Sequence, residues 1–198
     1  TSPLNVYGMT KLNGEAAILS TMELNAIIIR TSWVYSIYGN NFVDTILNLI
    51  QKKDSLNIVA DQIGSPTNAK DLAGAIISII NNKKFYEIDK PSEIFHYSNE
   101  GKCSWYEFAK EIINISGTKC IVSPIDSKDY PQKALRPKYV VMERKTNEQN
   151  ILFMKWNEKQ TNKIFYKIFC QTVGQIFGNI CEHIFCQTFG QIFCKIVC

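Results

Sequence analysis

The run Asn25-Ala26-Ile27-Ile28-Ile29-Arg30 does most to limit the folds open to this chain. Consecutive apolar residues exclude the in–out alternation of a strand with one wet face, and the run is too short for a helix of its own. It suits a parallel strand buried on both faces, and parallel strands need helices to connect and cover them. The surrounding sequence supplies such helices. Residues 3 to about 22 read as one. Residues 42–52 read as another, with Phe42, Ile46, Leu49 and Ile50 on one face. A third is expected over residues 69–80 after the turn Gly64-Ser65-Pro66-Thr67, with Thr67 as its N-cap. Ser104 opens a fourth, to about residue 115, and its spacing to Glu107 is that of a capping box. Short extended segments at residues 56–59, 94–98 and 120–125 fall between them. Strands alternating with helices give an α/β class.

Tyr7 and Lys11 lie four residues apart in the first helix, hence on one face and one turn apart. An ammonium beside a phenol favours the phenolate, and a tyrosine so placed can exchange a proton with a carbonyl or alcohol oxygen. Alone, a Tyr-x-x-x-Lys pair is usually a solvated helix face. Residues 31–40 then form a loop at the carboxyl end of the first strand, where open α/β sheets bind ligands. Other residues read as structural. His96 alternates with Phe95 and Tyr97 in a strand, and Trp105 and Tyr106 open a helix as packing residues. Arg136 suits either a phosphate contact or a surface ion pair. Asp61 and Gln62 lie in a loop and are given no chemical step.

Four segments in fixed order resemble the dTDP-4-dehydrorhamnose reductases, a branch of the extended short-chain dehydrogenase/reductases. They are Pro3-Leu4-Asn5-Val6-Tyr7-Gly8 with Lys11-Leu12-Asn13-Gly14-Glu15; Ile29-Arg30-Thr31-Ser32-Trp33-Val34-Tyr35 with Gly39-Asn40-Asn41-Phe42-Val43; Asp61-Gln62-Ile63-Gly64-Ser65-Pro66-Thr67 with Asp71-Leu72-Ala73; and Leu135-Arg136-Pro137. The resemblance implies an NAD(P)-binding Rossmann-type sheet, of which this chain is the C-terminal part, plus a small α/β substrate-binding lobe built from about residues 41–63 and 91–141. It implies reduction of the C4 keto group of dTDP-4-dehydro-L-rhamnose to dTDP-L-rhamnose, with NADPH as cofactor and NADH as the alternative. Tyr7 would be the proton donor, and Lys11 would tune it and hydrogen-bond the nicotinamide ribose. Thr31 and Ser32 would sit near the nicotinamide, and Trp33 would pack on the nucleotide sugar. Family members can also use Mg2+ between subunits and form homodimers, though no carboxylate cluster in this sequence demonstrates a metal site.

The chain contains no Gly-x-x-Gly-x-x-Gly or Gly-x-Gly-x-x-Gly loop to bring backbone onto a pyrophosphate. It therefore reads as the C-terminal piece of a longer enzyme, expected to bind NADPH poorly and turn over negligibly by itself. Two other readings stay open: a non-catalytic binding subunit like the regulatory subunit of methionine adenosyltransferase, and a non-functional gene remnant. A net charge of +4, with basic residues scattered in pairs such as Lys52-Lys53 and Lys83-Lys84, argues against nucleic acid as partner. No secretory signal or long apolar run points to a membrane, and a sugar-nucleotide reductase would be cytoplasmic.

The reductase-like part is expected to span residues 1–160. From residue 161 to 198 the sequence is repetitive and rich in Ile, Phe and Cys. Residues 168–177 recur as residues 184–193 with only Val173 exchanged for Phe189. The underlying period of four matches neither a helix of 3.6 residues per turn nor a strand. Five of the seven cysteines lie here. Cys181-x-His183-x-x-Cys186 is not a standard zinc spacing, so the tail reads as low-complexity sequence without a metal.

Overall fold

A computed structural model describes residues 2–82, 91–131 and 134–142. The repetitive tail, its cysteines and the end of the 1–160 unit lie outside the described residues. The elements run α1 (Val6–Thr21), β1 (Ile27–Arg30), β2 (Val34–Tyr35), α2 (Phe42–Ile50), β3 (Ser55–Val59), β4 (Ile63–Gly64), β5 (Thr67–Asn68), α3 (Ala69–Ile80), β6 (Glu93–His96), β7 (Cys103–Ser104), α4 (Trp105–Ser116), β8 (Ile121–Ile125) and β9 (Tyr139–Val140). The class is α/β, and most pairing is parallel. β1 pairs with β6, β2 with β5 and β3 with β8, all parallel. β4 lies between an antiparallel β7 and a parallel β9.

Two apolar clusters hold these elements. The larger joins α2 and α4 over β3 through Val43, Ile46, Leu47, Ile50, Leu56, Phe108, Ala109, Ile112 and Ile113. The smaller packs Ala75, Leu72 and Ile79 of α3 against Ile29, Phe95 and Tyr97. The helix phases follow from the sequence. Isoleucine and leucine at three- and four-residue spacings put one face of α2 inward, and Ala109 lets α4 approach closely.

Several boundaries differ from expectation. α1 starts at Val6, not residue 3, because the Asn5 side chain caps it by accepting from the Gly8 N–H. β1 starts at Ile27, since Asn25 turns the chain with φ 67°. Its residues are half-buried or exposed rather than covered on both faces, and β1 pairs along one edge only among the described residues. The buried face of α2 is Val43, Ile46, Leu47 and Ile50, with Phe42 and Leu49 at its margin. Thr67 is not the cap of α3. It is fully buried in β5, and Asn68 accepts the Lys70 N–H instead. The Ser104–Glu107 capping box forms as read.

Candidate active site

Tyr7 and Lys11 occupy consecutive turns of α1, as the spacing predicts. The Lys11 ammonium lies 5.6 Å from the centroid of the Tyr7 ring. Tyr7 is 71% exposed, so its hydroxyl is open to a ligand. The start of the helix is pinned twice by Asn5: its Oδ1 accepts the Gly8 N–H at 2.8 Å, and its Nδ2 donates to the Leu135 carbonyl at 2.8 Å. The first and last of the four family-like segments therefore touch.

Glu15, four residues beyond Lys11, fixes the rotation of this helix. Its carboxylate takes a forked hydrogen bond from Arg30, Nε to Oε1 at 2.8 Å and Nη2 to Oε2 at 2.5 Å. Such paired, charge-assisted bonds are stronger and more directional than neutral ones. Arg30 ends β1, and its Nη1 is 3.5 Å from His96 Nε2 on the partner strand. The half-buried positions of α1 are Gly8, Leu12, Glu15 and Leu19, so the bond fixes that face on the end of β1, while Tyr7 and Lys11 lie exposed on the flank beside it. His96 is thus a neighbour of this latch, consistent with a structural role.

Thr31, Ser32 and Trp33 leave that strand end. Ser32 Oγ donates to the Ser65 carbonyl at 3.1 Å, and the Thr67 N–H donates to the Trp33 carbonyl at 3.1 Å. Ser65 Oγ in turn donates to the Gly101 carbonyl at 2.7 Å. The second and third family-like segments are therefore stitched together. Thr31 Oγ1 is buried without a hydrogen-bond partner, as is Thr67 Oγ1. Trp33 has φ 49°, in the left-handed region that bulky residues rarely adopt. Its indole stacks on that of Trp105, with centroids 3.5 Å apart and planes 11° apart, and Phe42 lies 4.4 Å from Trp105.

Other titratable groups are structural. Burial pushes the Tyr35 phenol up to about 12, so it stays neutral in the core, and burial likewise pushes the Cys103 thiol up to about 11. Asp61 accepts Ser127 N–H and Oγ–H at 2.9 and 2.7 Å and pairs with Lys138 at 3.1 Å. Burial pushes its carboxyl up, but these donors outweigh that and hold it below its ordinary value. It ties the Ser127 turn to the loop before β4. Among the described residues no group of three or more His, Cys, Asp or Glu could hold a metal ion.

Two carboxyls carry a pH signature. The Arg30 hydrogen bond holds Glu15 below 4.5, and the Ser104 backbone and side-chain hydrogen bonds do the same for Glu107. A carboxyl depressed by folding adds stability above its unfolded value and loses it as pH falls through its folded value. Stability is therefore expected to be flat from neutral pH to about pH 5 and to fall below that. Glu15→Gln and Glu107→Gln should each flatten this fall in denaturant titrations. A wild-type slope that survives both substitutions would contradict the assignment.

Reading the sequence alone missed Glu15, Gly64 and Trp105 as parts of the site. Glu15 was detectable as the next step of the Tyr7–Lys11 stripe. Gly64 and Trp105 gave no local signal, since each lies against Trp33, thirty-one and seventy-two residues away.

A family model for the RmlD substrate binding domain matches residues 1–166. The chain is 43% identical over 141 residues to the dTDP-4-dehydrorhamnose reductase of Sinorhizobium fredii, covering 69% of this chain and 47% of that protein. It is 42% identical over 147 residues to the spore coat polysaccharide biosynthesis protein SpsK of Bacillus subtilis, covering 74% and 49%. A solved dTDP-4-dehydrorhamnose reductase from Clostridium acetobutylicum superposes with a TM-score of 0.74 at 34% identity, covering 85% of this chain and 57% of that one. One from Bacillus anthracis, in complex with NADP, gives 0.70 at 34% identity, covering 86% and 56%. The chain spans about half the length of these relatives. No helix among the described residues is long and apolar enough to cross a membrane.

Proposed function

The chain belongs to the RmlD substrate-binding-domain family, and from that premise we propose that it carries the proton-transfer and sugar-binding residues of a dTDP-4-dehydrorhamnose reductase. The observation that carries the proposal is the Tyr7–Lys11 pair, with the Lys11 ammonium 5.6 Å from the Tyr7 ring, on a helix that the Glu15–Arg30 bond ties to the end of β1, the strand from which Thr31, Ser32 and Trp33 follow. The reaction converts dTDP-4-dehydro-L-rhamnose, NADPH and a proton to dTDP-L-rhamnose and NADP+. Tyr7 gives its hydroxyl proton to the C4 oxygen as that oxygen gains charge. Lys11 steadies the resulting phenolate until a proton returns from solvent. Trp33 offers an aromatic surface to the nucleotide sugar.

The residues present fit one end of a nicotinamide cofactor. Thr31 Oγ1 is an orphaned polar atom at the carboxyl end of a parallel strand, and Ser32 follows it. With Lys11 they suit a carboxamide and a ribose. When bound, the cofactor supplies hydride to C4. The sequence holds no glycine-rich loop for a pyrophosphate. Such a reductase works where sugar nucleotides are made, in the cytoplasm, and the tail at residues 161–198 takes no part in the chemistry.

Binding of the product tests the sugar-side assignment. Titrating dTDP-L-rhamnose into the chain, followed by tryptophan fluorescence, should give a saturable signal. Trp33→Ala should weaken binding about tenfold, a loss of about 1.4 kcal/mol. Unchanged affinity in Trp33→Ala would remove Trp33 from the site.

A further inference from the structure

Trp33 is held in a slot, and the slot walls lie in two segments remote from it in sequence. One wall is Trp105, at the first position of α4, stacked on the Trp33 indole at 3.5 Å. The other is Gly64 in β4. A Cβ built on Gly64 would come under 3.0 Å from three atoms of the Trp33 side chain, Cε2, Cζ2 and Nε1. Real Cβ atoms essentially never approach so closely, so no side chain fits at Gly64 while the indole lies where it does. The glycine does not serve its own backbone, since its φ lies outside the left-handed region. Its hydrogen atom leaves room for the ring.

The residues around the slot are themselves fixed. β4 is paired on both sides, with β7 and β9, so Gly64 cannot retreat without breaking one ladder. Ser104, which caps α4, sits opposite Ile63 in that same sheet, so Trp105 is anchored within two residues of the Gly64 wall. The backbone of Trp33 is strained at φ 49° and tied through its carbonyl to the Thr67 N–H. A strained residue persists only where its surroundings over-determine it, and such strain gathers at ligand sites.

We infer that Gly64 and Trp105 are positioning residues that clamp the Trp33 indole in one fixed pose, Trp105 covering one face and Gly64 abutting its Cε2, Cζ2 and Nε1 atoms, and leave the rest of the ring to a nucleotide sugar. The inference rests on the proposed contact between Trp33 and the sugar nucleotide for its functional consequence, but not for the clamp itself. A fixed aromatic surface binds without first losing rotamer freedom, so loosening the clamp weakens binding although no group that touches ligand is removed.

The test uses the far-ultraviolet exciton couplet that two stacked indoles give in circular dichroism. The couplet should be present in the wild-type chain and absent from Trp105→Phe, which assigns it. Gly64→Ala should abolish it while the helical signal and a cooperative melt remain. A second set of variants guards against simple misfolding. Gly64→Ala should destabilise the chain when Trp33 is present and much less in a Trp33→Ala background, since residues in contact do not add. Affinity for dTDP-L-rhamnose should fall in Gly64→Ala by a factor close to that for Trp33→Ala. A couplet that survives Gly64→Ala, or additive stability effects, would overturn the clamp. Loss of the couplet with unchanged affinity would leave the clamp standing and overturn the contact between Trp33 and the sugar nucleotide.

Discussion

Changing Tyr7 to Phe is expected to slow reduction of the C4 ketone by about 10²–10⁴-fold, the range for losing a positioned proton donor. The assay needs a complete cofactor site. It is best made in a chimera in which this chain replaces the matched segment of the Sinorhizobium fredii reductase. Phenylalanine keeps the ring beneath the Lys11 ammonium and removes only the hydroxyl. Tyr7 is exposed and adds nothing to the apolar core, so the melting temperature should not move. A loss in kcat with KM for the sugar nearly unchanged is the pattern of an interaction made in the transition state. Near-wild-type turnover by Tyr7→Phe would remove Tyr7 from the chemistry.

Changing Ile112 to Ala should cost about 2–5 kcal/mol of stability, the range for truncating a fully buried aliphatic side chain. Ile112 has no exposed surface and sits at the centre of the α2–α4–β3 cluster. α4 carries the capping box at one end and Trp105 within its first turn. A cavity at Ile112 would therefore loosen the wall of the Trp33 slot as well as the core. Ile18 on α1 makes the control, because it is 44% exposed. Ile18→Ala should cost under about 1 kcal/mol, as surface changes usually do. Equal losses for the two in urea titrations would contradict the placement of the core.

The α/β class was legible because it rests on local patterns. An apolar run too short for a helix, a capping box at Ser104 and isoleucines at helical spacing each act within one element. Tyr7 and Lys11 were legible for the same reason, being one turn apart. What stayed hidden depends on contacts across long stretches of chain. Nothing near Glu15 says that Arg30 will bind it, although both types of charge were in view. Nothing near Gly64 says that an indole will lie on it. Thr67 was misread because a threonine two residues before a helix looks like a cap, yet its pairing with Val34 in the β2–β5 ladder won. The burial expected on both faces of β1 failed because composition reports what a strand tolerates and not which elements pack on its faces.

Turnover by the wild-type chimera tests the central claim most directly. Its NADPH oxidation should depend on dTDP-4-dehydro-L-rhamnose and yield one dTDP-L-rhamnose per NADPH consumed. A chimera that folds and binds both ligands, yet consumes no NADPH when the keto sugar is added, would contradict the claim that this chain carries the proton-transfer residues of a sugar-nucleotide reductase.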